Sequence, residues 1–311
     1  MSGGTHMNMR ENRKPNVARH MLAAACLAAL LALGGCDWVR DTFFRAKAPD
    51  VKFASYQQEY QTKLDFAQLE HKFPLTTEEL ARITPENLAA LDQEQIDQIY
   101  ARLTAGPIPD GAFDGQILMP RGVSGKFRVA EIAGGFAEYV LHLKGLQVET
   151  LGEALWKGKV FYRDERVLRN RIEDLSLLQK AGLVEGEPKK ASFGGKDTWL
   201  LFPAKLYCGQ SLLDARRESI IIDYFFTDEI PGYQEKPDHL AGRRGLRVRD
   251  EIRMVRPGFY LGRAYLDKVF LLNFTLYNRD IAKRDGDAFV KTGEVNQDCW
   301  TGTQQRVARA Q

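Results

Sequence analysis

Apolar positions along the chain change rhythm twice. Residues 21–33 (MLAAACLAALLAL) are apolar without a break. Residues 75–100 repeat every eight positions as LTTEELAR, ITPENLAA and LDQEQIDQ. Each unit opens on an apolar residue followed by a Thr or Asp that can cap a helix. From Trp156 onward the runs are short, aromatic and β-branched, which is the composition of strands.

The octads predict two or three short helices ending near Gly106. Thr76 with Glu79 and Asp92 with Gln95 have capping-box spacing, and Pro85 after Thr84 suits a first helical position. Leu80, Leu88, Leu91, Ile96, Ile99 and Leu103 fall on one side. That side either packs on the body of the protein or offers a docking surface to a partner. The turn-rich GPIPDGAFDG at 106–115 closes the helical part. Residues 131–151 have helix-length spacing through Ile132, Phe136, Val140 and Leu143, interrupted by Gly134, Gly135 and Gly145.

In the C-terminal half, LWKGKVFYR, TWLLFPAKLY and ESIIIDYFF precede the longest strand-like stretch, RDEIRMVRPGFYLGRAYLDKVFLLNFTLYN. Pro257-Gly258 and Asp267-Lys268 divide that stretch into runs that can pair as an antiparallel meander. Alternation puts Ile252 and Met254 on one face and Glu251 and Arg253 on the other. A sheet with one oily face needs a cover or must close on itself. The expected fold is therefore α+β: an antiparallel sheet curled into a barrel or half-barrel, with an N-terminal helical subdomain. The expected divisions are a signal peptide (1–35), a tether (36–74), short helices (75–106) and a mainly antiparallel β domain with a packed helix (107–311). The runs IIDYFF, VRDEIRMVRPGFYLGRAY and FLLNFTLYN resemble strands of calycin-type barrels, and more loosely bacterial proteins with a D-x-I-x-x-V…LG pattern. That resemblance implies an apolar pocket within a barrel; the lipocalin Gly-x-Trp motif is not part of it.

The first apolar run is too short for a permanent span, which takes roughly 20 residues, and it follows a basic stretch at 10–20. It reads as a secretory signal. Leu33-Gly34-Gly35-Cys36 resembles the bacterial lipobox. The resemblance implies a thioether lipid on Cys36, cleavage before it, and acylation of the new amino terminus, for instance by palmitate. The alternative is that Cys36 merely follows an ordinary signal peptide. Asp37 resembles the inner-membrane retention signal of enteric bacteria; an outer-membrane location stays open. Trp38, Phe43 and Phe44 either rest in the headgroup layer or pack on the domain.

Removing the four bases and one acid that precede Cys36 leaves as many acids as bases, so the remainder is formally neutral. Nucleic-acid binding, which rests on phosphate neutralisation, gains no support. Cys26 leaves with the signal and Cys36 takes lipid, so Cys208 and Cys299 remain. In an oxidising periplasm they form one disulfide, the alternative being two buried thiols.

Catalytic and metal motifs are absent from the sequence: no G-x-S-x-G, no H-E-x-x-H, no Cys-x-x-Cys. His71, His142 and His239 are far apart. No catalytic residue, metal or cofactor is expected. DYFFTDEIPGYQEKPDH gathers Asp223, Asp228, Glu229, Glu235, Asp238 and His239. Asp238 with His239 is the candidate polar site if a pocket desolvates them, and otherwise a solvated loop. Arg163, Arg166, Arg169, Arg171 and Arg243, Arg244, Arg247, Arg249 either meet lipid phosphates or form ion pairs on strand exteriors. The expected function is that of a non-enzymatic, membrane-anchored envelope lipoprotein facing the periplasm, binding an apolar or lipidic ligand or assisting an envelope system. The competing expectation is a protein-interaction lipoprotein, either an assembly factor or a toxin-immunity protein.

Overall fold

The computed structural model describes residues 47–55, 64–122, 156–180 and 182–302, the side chain of Leu177 excepted. The signal, Cys36, Asp37, Trp38, Phe43, Phe44, the helix expected at 131–151 and His142 lie outside these residues.

Short aromatic and β-branched runs form β1 (Gly111–Leu118), β2 (Trp156–Tyr162), β3 (Val167–Ile172), β4 (Lys190–Phe193) and β5 (Lys196–Gln210). They continue as β6 (Glu218–Asp223), β7 (Val248–Arg256), β8 (Phe259–Leu266) and β9 (Val269–Tyr277). All neighbours are antiparallel. The hydrogen-bonded ring runs β1, β2, β3, β5, β6, β7, β8, β9 and back to β1, an eight-stranded closed barrel in chain order. Among the described strands only β4 stands outside the ring, as a hairpin on the start of β5. Both expected turns, Pro257-Gly258 and Asp267-Lys268, connect consecutive strands of the meander.

Alternation along the barrel strands gives two poles. At the proximal pole, where the chain enters β1, lie residues 104–110, 163–166, 211–217 and the Pro257-Gly258 turn. At the distal pole lie residues 224–247 and the Asp267-Lys268 turn.

The octads fold as α2 (Thr77–Arg82), α3 (Pro85–Leu88) and α4 (Gln93–Arg102), preceded by α1 (Phe66–Lys72). Thr76 Oγ1 accepts from Glu79 N at 3.2 Å while Glu79 Oε2 accepts from Thr76 N at 2.9 Å. Gln95 Oε1 accepts from Asp92 N at 3.1 Å. Thr84 and Asn87 add a reciprocal pair of the same kind. Helix α1 lies in the stretch expected to be tether. It has a single buried residue, Leu69, too little periodicity to announce a helix, and it is capped by Asp65.

The apolar side of the octad helices is turned onto the barrel. Leu88, Leu91, Ile96, Ile99 and Leu103 are buried in one cluster with Val255, Phe259 and Leu261 from the outer face of β7 and β8. The charged face of β7 is consequently not solvated. Arg253 is fully buried: Nε donates to Ser219 Oγ at 2.9 Å, Nη1 to Tyr100 O at 3.2 Å, and Nη2 to Asp214 O and Arg217 O at 3.0 and 3.1 Å. Arg263 of β8 pairs with Asp97 of α4 and donates to Tyr265 Oη at 2.9 Å. Asp97 also accepts from Gln93 Nε2 at 2.6 Å, and Gln93 Oε1 accepts from Asn273 of β9 at 2.7 Å. Charged groups survive burial when they are paired and hydrogen-bonded, and the helices supply the partners.

Two short helices sit at the distal side, α5 (Ser176–Lys180) and α6 (Glu235–Asp238). The C-terminal helix α7 (Arg279–Thr292) follows β9 directly. Asn278 Oδ1 caps it by accepting from Ile281 N at 3.0 Å, and Gly293, at φ 66°, ends it in a left-handed conformation that suits glycine.

Asp97→Ala leaves the Arg263 guanidinium buried without its carboxylate, and the expected loss is about 3 to 5 kcal/mol of unfolding free energy, read from chemical denaturation.

Candidate functional site

The barrel interior was the first place to seek a ligand space, and side chains occupy it. Phe113, Phe161, Leu168, Ala204, Leu206, Ile220, Ile222, Ile252, Tyr260 and Leu276 are buried there in one cluster. Gly262 and Gly115 let rings lie flat against the wall: a Cβ at Gly262 would come within 2.2 Å of the Phe274 ring, and one at Gly115 within 2.4 Å of the Trp156 ring. Those rings meet edge to face at 5.6 Å.

Toward the distal pole this packing encloses a polar knot. Lys159 of β2 points inward and uses all three of its protons: Nζ lies 2.9 Å from Asn170 Oδ1, 2.6 Å from Tyr224 Oη and 3.0 Å from Asp250 Oδ2. Trp156, Tyr224 and Phe274 surround the ammonium at 5.3 to 5.4 Å, within cation–π range. Asn170 Oδ1 also accepts from Trp156 Nε1 at 2.9 Å. Burial pushes the Lys159 ammonium below its ordinary pKa and the Asp250 carboxyl above its own, each opposed by the other's charge. Burial also raises Tyr224, and Asp250 adds to that rise. A cluster whose donors and acceptors are already matched to one another plugs the barrel.

A cleft opens at the proximal pole. It is about 700 Å³ in volume and runs between the barrel mouth and α7. Phe113, Met254 and Tyr260 from the barrel, Ile281 and Phe289 from α7, and Val295 beyond it give the cleft its apolar lining. Arg163, Asp110, Arg284, Asp285 and Glu294 supply its charged groups. Several of these are matched locally: Arg163 Nε donates to Ile108 O at 2.6 Å, Arg163 N to Asp110 Oδ1 at 3.2 Å, and Arg284 Nε to Asp285 Oδ1 at 2.8 Å. Tyr260 donates to Pro107 O at 2.6 Å, and burial raises its pKa.

One wall of the cleft is a strap formed by residues 293–302. Asp298 Oδ2 accepts from Ile108 N at 2.8 Å, Gln297 Oε1 accepts from Gly106 N at 2.9 Å, and Gln297 Nε2 donates to Thr104 Oγ1 at 3.1 Å. Cys299 is bonded to Cys208 of β5, which brings the expected cysteine pair together across 91 positions of the chain. Closing so long a loop stabilises a fold by roughly 4 to 5 kcal/mol on the chain-entropy account. Glu218 lies close to both sulfurs, and its carboxylate accepts from Trp300 N at 2.9 Å.

The residues singled out in the sequence are placed differently. Both carboxylate oxygens of buried Asp238 are taken by main-chain amides, Oδ1 by Phe202 N at 2.6 Å and Oδ2 by Gln234 N at 2.9 Å. Phe202 has φ 51°, so this carboxylate anchors a strained bulge of β5. Burial lifts the Asp238 pKa against those hydrogen bonds. His239 Nδ1 lies 2.6 Å from Glu235 O of its own turn. The other acids of the loop have basic or phenolic partners: Asp228 with Arg243 at 2.8 Å, Glu229 with Lys205 at 2.6 Å, Glu235 with Arg244 at 2.7 Å, and Asp223 with Tyr207. The arginines chiefly meet protein: Arg171 pairs with Asp114 at 2.8 Å, Arg169 donates to Pro231 O, and Arg249 pairs with Glu251.

Lys159, Asn170, Tyr224 and Asp250 were not singled out in the sequence. One sign was present, since Asp250 shares the parity of Ile252 and Met254 and so faces inward with them. The cleft had no sequence signal, because its walls come from four separate segments.

No family model, no curated protein and no solved structure matches the chain.

Replacing Lys159 by Met is expected to lower stability by several kcal/mol, since Asp250 is left buried without its counter-ion. The carboxyl, already raised, rises further without that cation, and stability is then lost as pH climbs from its unfolded value, about 4, through the folded one. The deficit against wild type therefore grows between about pH 4 and 7. Adding Asp250→Leu removes that pH dependence; denaturation curves at both pH values check it.

Proposed function

We propose that the protein is a cell-envelope lipoprotein, anchored through Cys36, that binds an apolar or amphipathic lipid in the cleft at the proximal pole. The observation that carries this reading is the cleft itself, whose mainly polar and charged surface is interrupted by apolar side chains. Two basic and three acidic groups line it, which suits a neutral or zwitterionic head better than a polyanion. Its volume lies within the range of small-molecule sites, roughly 300 to 1,000 Å³.

Further support comes from what the other surfaces are doing. The barrel interior is occupied by its own side chains. The apolar side of the octad helices is engaged with the barrel, which leaves their polar sides for any protein partner. The matched hydrogen bonds of Asp238 and the Lys159 knot favour a binding role over catalysis. Export and anchoring are supported by the short apolar run and Leu33-Gly34-Gly35-Cys36.

Native mass spectrometry of protein gently extracted from its own membrane is expected to show a co-purifying lipid. Ala288 is an exposed residue of α7 in the cleft wall. Ala288→Trp fills the space and should abolish that lipid with stability unchanged. Consistent absence of lipid from the wild type, or a stoichiometric protein in its place, would shift the assignment to the interaction reading. Cys36→Ser should remove both the acyl mass and membrane retention.

A further inference from the structure

We propose that the proximal pole is the face laid against the membrane, with Trp300 and Leu212 seated in the headgroup layer and the cleft opening beside them toward lipid. This rests on the anchored-lipoprotein reading and adds an orientation to it.

Trp300 and Leu212 are 46% and 45% exposed, the highest values among large apolar side chains of the described residues. Both are on this pole, whereas Val269 and Phe225, at 42% and 39%, are on the distal one. Leu212 is in the turn between β5 and β6. Trp300 is clamped at the start of β6, its carbonyl accepting from Glu218 N at 3.0 Å while its amide donates to Glu218 Oε2 at 2.9 Å. The neighbouring Cys299 is bonded to β5, so the indole is presented on a fixed base. Val295 of the same strap lines the cleft.

The route to the anchor leaves from the same side. Arg102, at the end of α4, holds Lys52 O at 3.1 Å, and Arg216, in the turn that carries Leu212, holds Ala101 O at 3.2 Å. Lys47 follows Cys36 by eleven residues. Even fully extended, that length of chain spans only about 40 Å. A lipid on Cys36 thus leaves the bilayer within about 40 Å of Lys47. Indole rings favour the membrane–water interface. The occupant is therefore a lipid surface; a protein that covers Trp300 is the outcome that counts against it.

The test uses full-length, lipidated protein in vesicles whose acyl chains are brominated, with intrinsic fluorescence as the readout. Trp300→Phe is compared with Trp199→Phe, Trp199 lying at the distal start of β5. Both variants retain Trp38, so their difference reports on the indoles at the two poles. Bromolipid quenching of the Trp199→Phe protein should be at least about twice that of the Trp300→Phe protein. Leu212→Glu should reduce it as well, with the disulfide and thermal unfolding unchanged. Equal quenching in the two tryptophan variants, with Trp300 emission open to aqueous iodide, overturns the orientation. Acyl mass on Cys36 separates the causes: with acyl present and Trp300 in water, only the orientation fails. Without acyl, the anchored reading fails too.

Discussion

Pairing of the first barrel strand with the last is the constraint on which the rest of the molecule depends. Residues Asp114 to Leu118 run antiparallel to Asn273 to Tyr277, and this ladder turns a meander into a ring. Closure removes both sheet edges and gives every strand an inside and an outside. In a ring of eight strands the interior is only wide enough for side chains or one small ligand. Here Phe274, Trp156, Lys159 and Asp250 are among the groups that fill it. Lys159 and Asp250 belong to strands that are not neighbours, and they meet across the lumen only because the ring is closed.

The same closure settles the outer surface. Small barrels commonly present one polar face to water, yet the outer faces of β7 to β9 are covered by α2, α3 and α4. The cover joins two kinds of contact. Leucine and isoleucine side chains meet Val255, Phe259 and Leu261, while Arg253, Arg263, Asp97, Gln93 and Asn273 interlock beside them. Apolar burial gives the adhesion. The matched polar groups fix where the helices sit, since a slip would leave several buried charges without partners.

At the proximal pole, segments remote in sequence converge. The turn between β5 and β6, the end of α4, the connector before β1 and the strap after α7 are joined by Asp298, Gln297, Arg216 and the disulfide. Their meeting leaves a cleft where the distal pole has a filled lumen. A surface built from remote loops on a rigid barrel can change its side chains without disturbing the core.

Local order was legible in the sequence. Capping chemistry marked the octad helices, Pro-Gly and Asp-Lys marked the meander turns, and the count of cysteines left Cys208 and Cys299 as the pair that the fold brings together. Helix α1 escaped notice because one buried leucine makes no period. Helix α7 buries only Phe289 and shows as little period, although Asn278 and Gly293 bracket it with capping residues. Alternation in β7 assigns Ile252, Met254 and, by the same parity, Asp250 to one face. Alternation says which way a side chain points; it does not say what it meets. That Asp250 meets Lys159, that Arg253 lies under a helix and not in water, and that a cleft forms at the proximal pole were decided by long-range closure. The physical reason is that hydrogen-bonded turns and caps are contacts between near neighbours, whereas burial depends on which distant surfaces the closed ring brings together.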